Sequence, residues 1–347
     1  MTDASPTTAE PAAQSAAAAG APRPVTPALG TSTQASAQAA LPDWCPAWAE
    51  RLGDAYLSGT SCVFVLHGNV RDLVPLGPPD AVPAAGWGTA PDFLARELFG
   101  RWDMVLAYDV GRGLRPLAGT DATRLRGMAQ WLTERLGNAA NWPRDPDQAI
   151  AAIDALLERN LIDPPEQRKR IAVVLDYGQY LAPAGDAAAG ARAGAARLVR
   201  ILSWATNPLL RRVNAAVVML TDGLAEMHPR LVANPAVTTI EVPLPDAADR
   251  ERFALETAAG LGMDATRTDA VKRMAAIAGG LSLESLRAVI TMSARDGTLP
   301  DGPEFAARKK DLIERSCQGL VEFIQPRLTL DAVAGHAEAK DRLETDA

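Results

Sequence analysis

The residues of this sequence that could do chemistry stand at the ends of apolar runs. Ile171-Ala172-Val173-Val174-Leu175 ends on Asp176, and Ala215-Ala216-Val217-Val218-Met219-Leu220 ends on Thr221 and Asp222. Unbroken runs rich in β-branched residues read as strands buried on both faces, the habit of parallel sheets. Open α/β sheets bind ligands along the carboxyl edge of their strands. A carboxylate there can share a divalent cation with a phosphate, so Asp176 is the candidate metal ligand. Thr221 and Asp222 are the candidate pair for orienting an attacking water. The competing reading of all three is a polar strand end that caps a nearby turn. Hydrolysis also asks for a second carboxylate beside Asp176 to activate water, and the next residue is Tyr177.

A nucleotide site further needs a phosphate cradle, Gly-x-x-x-x-Gly-Lys-Ser/Thr, in which backbone N–H groups hold phosphate and the Lys offsets its charge. The sequence contains no Gly-Lys pair. Where such a loop belongs, after the first apolar run, it reads His67-Gly68-Asn69-Val70-Arg71-Asp72. Gly68, Asn69 and Arg71 are the candidate phosphate-side residues, with Arg71 supplying charge and Asp72 repelling the same anion. Gly111-Arg112-Gly113 also follows an apolar run but lacks a third glycine.

Composition narrows the classes. Across 347 residues, 35 Lys and Arg face 42 Asp and Glu for a net charge of −7, which argues against a general nucleic-acid surface. Cys45, Cys62 and Cys317 are isolated thiols without metal-ligand spacing and read as reduced cysteines of a cytoplasmic protein. His67, His228 and His336 lie far apart. No apolar run approaches the roughly 20 residues that cross a bilayer, and the N-terminus lacks a signal-peptide pattern, so no membrane partner is expected.

The elements that must position these groups follow from hydrophobic period and caps. Residues 1–41 are mostly Ala, Pro, Thr, Ser and Gln, too poor in large apolar side chains to offset ordering entropy, and read as a disordered tail. Trp44, Trp48, Leu52 and Tyr56 recur at helical spacing. Strands are expected at Cys62–Leu66, Met104–Asp109, 171–176, Ala215–Leu220 and Thr238–Val242. Among the connections are a Pro/Gly-rich loop over 75–88, a helix over 91–99, two helices striped by Leu125/Met128/Leu132/Leu136 and Ile150/Ile153/Leu156/Leu157, and a mobile Gly/Ala-rich loop over 183–196. From Asp246 the pattern is helical only. The prediction is an α/β core over 42–245 with a five-stranded parallel, doubly wound sheet, followed by a small helical lid over 246–325.

In this order the segments resemble the AAA ATPase module, a P-loop-NTPase-like fold. Residues 171–177 are similar to its Walker B strand, and Val218–Asp222 looks like the sensor 1 strand. Ile240–Asp246 with Asp249–Phe253 matches the exit from sheet to lid, and Ala278–Leu286 resembles the sensor 2 segment. Departures are as plain. The phosphate loop and the Walker B Glu are replaced, and Leu231–Ala236 has no Arg where the family carries arginines that reach a neighbouring subunit's nucleotide.

Leu328–Leu343 resembles the opening of a second AAA module, an apolar-Asp-x-Val-x-Gly turn that places Val333 and Gly335 on the adenine side. With it, residues 326–347 read as the start of that module, and the chain is similar to tandem AAA proteins related to the chloroplast-reading-frame ATPases. In those a degenerate first module precedes an active second one. The resemblance implies ATP and Mg in the family but no cofactor in this module. It also implies a homo-oligomer or ring of AAA modules, and a non-hydrolysing assembly or regulatory role in an ATP-dependent remodelling ATPase. Two alternatives stay open: weak ATP hydrolysis through a non-standard loop at Gly68–Asp72, and a scaffold that docks a protein partner.

Overall fold

A computed structural model of the chain describes residues 41–80, 86–185, 191–296 and 302–316, together with 335–337, Lys340 and Arg342. The expected tail lies outside these residues except for Leu41, as does most of 326–347.

Predicted runs that form strands with their apolar residues shielded on both faces include β1 (Val63–Gly68), β6 (Ile171–Leu175) and β7 (Ala215–Thr221). With β4 (Met104–Asp109), β5 (Gly113–Pro116) and β8 (Val237–Val242) they make a six-stranded sheet in the order β5-β4-β6-β7-β1-β8. β4, β6, β7, β1 and β8 run parallel, as expected, and β8 shows the mixed burial of an edge strand. The sheet has one strand more than the sequence predicts. β5 pairs antiparallel with β4 at the other edge, after a turn in which Asp109 accepts N–H bonds from Gly111 and Arg112 at 3.1 and 2.7 Å. The Gly-x-Gly pair is therefore the bend of a hairpin. Gly113 sits at φ 78°, and a Cβ there would lie 2.8 Å from Arg144.

The loop predicted over 75–88 is likewise corrected. Leu73–Pro75 (β2) and Trp87–Thr89 (β3) form a two-stranded antiparallel ladder that flanks it, and 81–85 lie outside the described residues. The following helix, α2 (Ala90–Phe93), starts one residue early because Thr89 and Asp92 form a capping box, and it continues as a π-helical turn over Leu94–Leu98. The Gly/Ala-rich stretch expected as loop to 196 is helical from Ala191, in α5 (Ala191–Thr206), since alanine favours the helix wherever one face can pack. The remaining helices around the sheet are α1 (Ala47–Leu57), α3 (Ala122–Leu136), α4 (Pro146–Ile162) and α6 (Pro229–Val232). Asp145 caps α4 through the N–H groups of Asp147 and Gln148, as Asp-Pro predicted.

The helices that follow include α7 (Ala247–Gly260), α8 (Thr268–Ile277), α9 (Leu283–Asp296) and α10 (Gly302–Ser316). They bury a second apolar cluster around Phe253, Met274, Leu286, Ile290 and Phe305, and Leu73 and Trp87 from the small hairpin pack against it. No helix among the described residues is long and apolar enough to cross a membrane.

Register places the site. His67 pairs with Thr221 and Leu175 with Met219, so the carboxyl ends of β1, β6 and β7 lie side by side.

Burial pushes the thiols of Cys45 and Cys62 up from 9.0 to about 11, helped at Cys45 by Glu97 and Glu50. Both should resist a thiol reagent at about pH 8 in the native protein and react in urea, as peptide mapping would read. The native state keeps protons that the unfolded chain releases. Their contribution to stability is therefore complete below pH 9 and is lost as pH rises toward about 11. Over that interval the urea midpoint should fall more for wild type than for Cys62→Ala.

Candidate functional site

Asp176 follows the last residue of β6, and its N–H still donates to the Tyr108 carbonyl of β4 at 2.9 Å. That bond holds the carboxylate at the sheet edge, where it is 6% exposed. Arg71 reaches it from the turn after β1. Its Nη1 bonds Asp176 Oδ1, and its Nε donates to Asp222 Oδ1 at 2.8 Å. The Gln179 amide donates to the other Asp222 oxygen at 3.1 Å. The Tyr177 ring covers the guanidinium at 3.8 Å, and the Tyr177 N–H donates to Asp176 at 2.9 Å. One cation thus serves two carboxylates from two strands. Burial works against the Arg71 charge, but Asp176 and Asp222 outweigh it and hold the guanidinium pKa above its ordinary value.

Tyr177 is one of two non-glycine residues with a left-handed backbone among those described, at φ 55°. An aromatic residue there is strained and persists only when its surroundings fix it. The Arg71 stack and the bond to Asp176 do so.

The turn itself depends on Gly68. Its φ of 89° suits only glycine, and a Cβ would stand 2.9 Å from the Val242 carbonyl. Four of the turn's amides are taken by main-chain acceptors: Gly68 donates to Asp222, Asn69 to Val242, Val70 to Gly68 and Asp72 to Asn69, at 2.8 to 3.4 Å. No helix follows the turn, because the chain runs straight into β2.

Gly68, Asn69, Arg71, Asp176, Thr221 and Asp222 are therefore brought together at one edge. Thr221 is fully buried, and its hydroxyl donates to the Gly223 carbonyl at 3.2 Å. Val333 lies outside the described residues, whereas Gly335 is described, with φ 78°. Two participants escaped the sequence reading. Gln179 gave no signal beyond lying three residues past Asp176. The role of Asp72 is likewise not the repulsion of phosphate that the sequence suggests. Instead its carboxylate accepts the N–H groups of Leu283 and Glu284 at 2.8 and 3.0 Å, and the Asn69 side-chain amide at 2.9 Å.

Beside this turn lies a cavity of about 330 Å³ walled by Trp44, Trp87 and Pro243–Pro245. Asp43, Asp72, Asp246 and Asp249 are among its lining residues, and no Lys or Arg is. Burial and the neighbouring Asp246 push the Asp249 carboxyl above its ordinary range, against the pull of Arg252. Among the described residues no group of three or more His, Cys, Asp or Glu could hold a metal ion.

A parallel sheet with β1 between β7 and β8, an acidic carboxyl edge and a train of helices behind it define an α/β protein of the P-loop-NTPase type. Residues 36–243 match the AAA+ chaperone N-terminal Rossmann-like domain, and the chain belongs to that family. No curated protein matches the chain. A chain of the solved E. coli MS115-1 HORMA:CdnC:Trip13 complex is similar over 81% of this chain and 80% of that one, at 14% identity and a TM-score of 0.44.

Removing the cation would strand a buried carboxylate. Arg71→Met should cost about 2 kcal/mol by urea denaturation, less than for a fully buried pair because Arg71 is partly solvated. The double variant Arg71→Met/Asp176→Asn should recover at least half of that loss, since the buried carboxylate is then neutral and Asp222, the one left without Arg71, is about half exposed.

Proposed function

We propose that this chain is a non-hydrolysing AAA-like assembly module, the N-terminal portion of an ATP-dependent remodelling ATPase whose catalytic module is a separate one. The observation that carries the reading is the Arg71 guanidinium between Asp176 and Asp222. In this fold a magnesium ion and its phosphates belong beside the Asp176 position, and here one protein cation is shared by both carboxylates.

The surroundings support the same conclusion. A phosphate cradle works through unclaimed N–H groups and a helix N-terminus, whereas four amides of the Gly68–Asp72 turn already have acceptors and a strand follows it. The neighbouring cavity offers carboxylates where a triphosphate needs cations. Tyr177 occupies the position of the water-activating Glu. These residues do not fit a magnesium–nucleotide complex, and no hydrolytic step is routed through them.

The match to an N-terminal domain of AAA+ chaperones supports a tandem arrangement. So does the resemblance of residues 328–343 to the opening of a second AAA module, after the manner of the chloroplast-reading-frame relatives. Assembly with AAA modules, in a homo-oligomer or ring, is the role such a module would keep.

Titration with ATP and magnesium should give no binding heat up to about millimolar ligand, the weak limit of ordinary recognition, and purified protein should release no phosphate. Turnover that Asp176→Asn abolishes would falsify this reading and restore a weak ATPase working through Gly68–Asp72.

A further inference from the structure

Two neighbouring residues of one turn point in opposite directions. Arg71 binds the sheet edge through Asp176 and Asp222, while Asp72 reaches α9, whose first residues are 211 and 212 positions away. We propose that the Gly68–Asp72 turn and the β2–β3 hairpin form a latch that sets the position of helices α7–α10 on the sheet through protein contacts alone, with no bound ligand required.

The hydrogen-bond accounting at α9 is the first argument. The opening N–H groups of a helix have no partner inside it and need outside acceptors. Ser282 supplies the local one, its hydroxyl accepting the Ser285 N–H at 3.2 Å. The Leu283 and Glu284 N–H groups are satisfied by Asp72 of the core. Asp72 is 3% exposed, so this carboxylate is kept from water and depends on α9 as much as α9 depends on it. If the helices swung away, a buried charge and two helix donors would lose their partners together.

The hairpin makes the second arm. The Trp87 indole N–H donates to Glu256 of α7 at 2.7 Å, and its ring meets Phe253 edge-on at 5.1 Å. The Arg252 guanidinium lies 4.5 Å from the same ring. Three side chains of α7, those of Arg252, Phe253 and Glu256, therefore hold one side chain of the hairpin. At the junction Pro243–Pro245, Arg250 donates to the Pro245 carbonyl at 2.7 Å and to the Ala275 carbonyl of α8 at 3.2 Å, bracing the hinge from the helical side. Together the three points fix a body rather than a single contact. This inference stands whether or not the chain binds nucleotide.

Two spin labels would read the latch in nucleotide-free protein. Leu57→Cys in α1 and Met292→Cys in α9 are both more than half exposed in the native chain, at 51% and 54%, and a Cys317→Ser background prevents stray labelling. The distance distribution should be single and narrow. With Asp72→Ala it should broaden or gain a second, separate distance, and the first-turn amides of α9 should exchange about tenfold faster. Amides of β1, β6 and β7 should keep their protection. Asp72→Asn, which keeps an acceptor but loses the charge, should fall between. If Asp72→Ala does not fold, Trp87→Ala tests the other arm with the same two readouts. An unchanged distribution with unchanged α9 protection would overturn the proposal, and so would equal loss of protection in the sheet and α9, which would make Asp72 a general stabiliser only.

Discussion

Arg71 carries its charge into a half-buried corner where the ends of β1, β6 and β7 come within reach of one side chain. A carboxylate as enclosed as Asp176 requires a positive partner, because desolvation without one costs several kcal/mol by rough account. The guanidinium is suited to the position. It stays ionised, splits its donors between two acceptors and lays its flat face on Tyr177. Once it is in place, the turn that bears it has little freedom. The chain must reverse at Gly68, spend its amides on neighbouring carbonyls, and leave along β2 rather than in a helix.

On the proposed reading, the fold keeps the sheet edge of its family and fills it from within through Arg71. Residues 171–176, which resemble a Walker B strand, end on a carboxylate, and the cation beside that carboxylate is covalently part of the chain. Tyr177 illustrates the trade. In a left-handed conformation, an aromatic side chain is a poor choice for an unconstrained turn, yet here it roofs the ion pair and its amide binds Asp176. Strain and compensation lie within one residue.

Much of the sheet was legible because its signals are local. Val63–Leu66, Ile171–Leu175 and Ala215–Leu220 are unbroken apolar runs, and their shortness and Val/Ile content favour strands shielded on both faces. Asp145-Pro146 and Asp246 announce helix starts within three residues of the N–H groups they bind. The short elements were not legible. β5 has four residues and β2 three, too few for a period to emerge, and a Gly-Arg-Gly bend resembles a ligand loop as much as a hairpin. At the site the sequence offered the right residues in the wrong relation. Arg71 could be matched to phosphate because nothing local reveals that its partners stand 105 and 151 positions away. Asp72 is the sharper case. Its charge was evident and suggested only repulsion of phosphate, whereas it accepts the amides of Leu283 and Glu284, 211 and 212 positions away.

The place of β1 inside the sheet has a consequence for how the chain comes to exist. It lies between β7 and β8, and the turn that follows it is held by residues as distant as Glu284. During synthesis from the N-terminus, Val63–Leu66 leaves the ribosome before either neighbouring strand has been made. A parallel strand has no hairpin partner to shield it meanwhile, and such non-local pairing is slow. A fully buried apolar segment of the finished sheet is thus made early and paired late. It spends that interval as an open edge, the state in which a nascent chain is most prone to join the wrong partner.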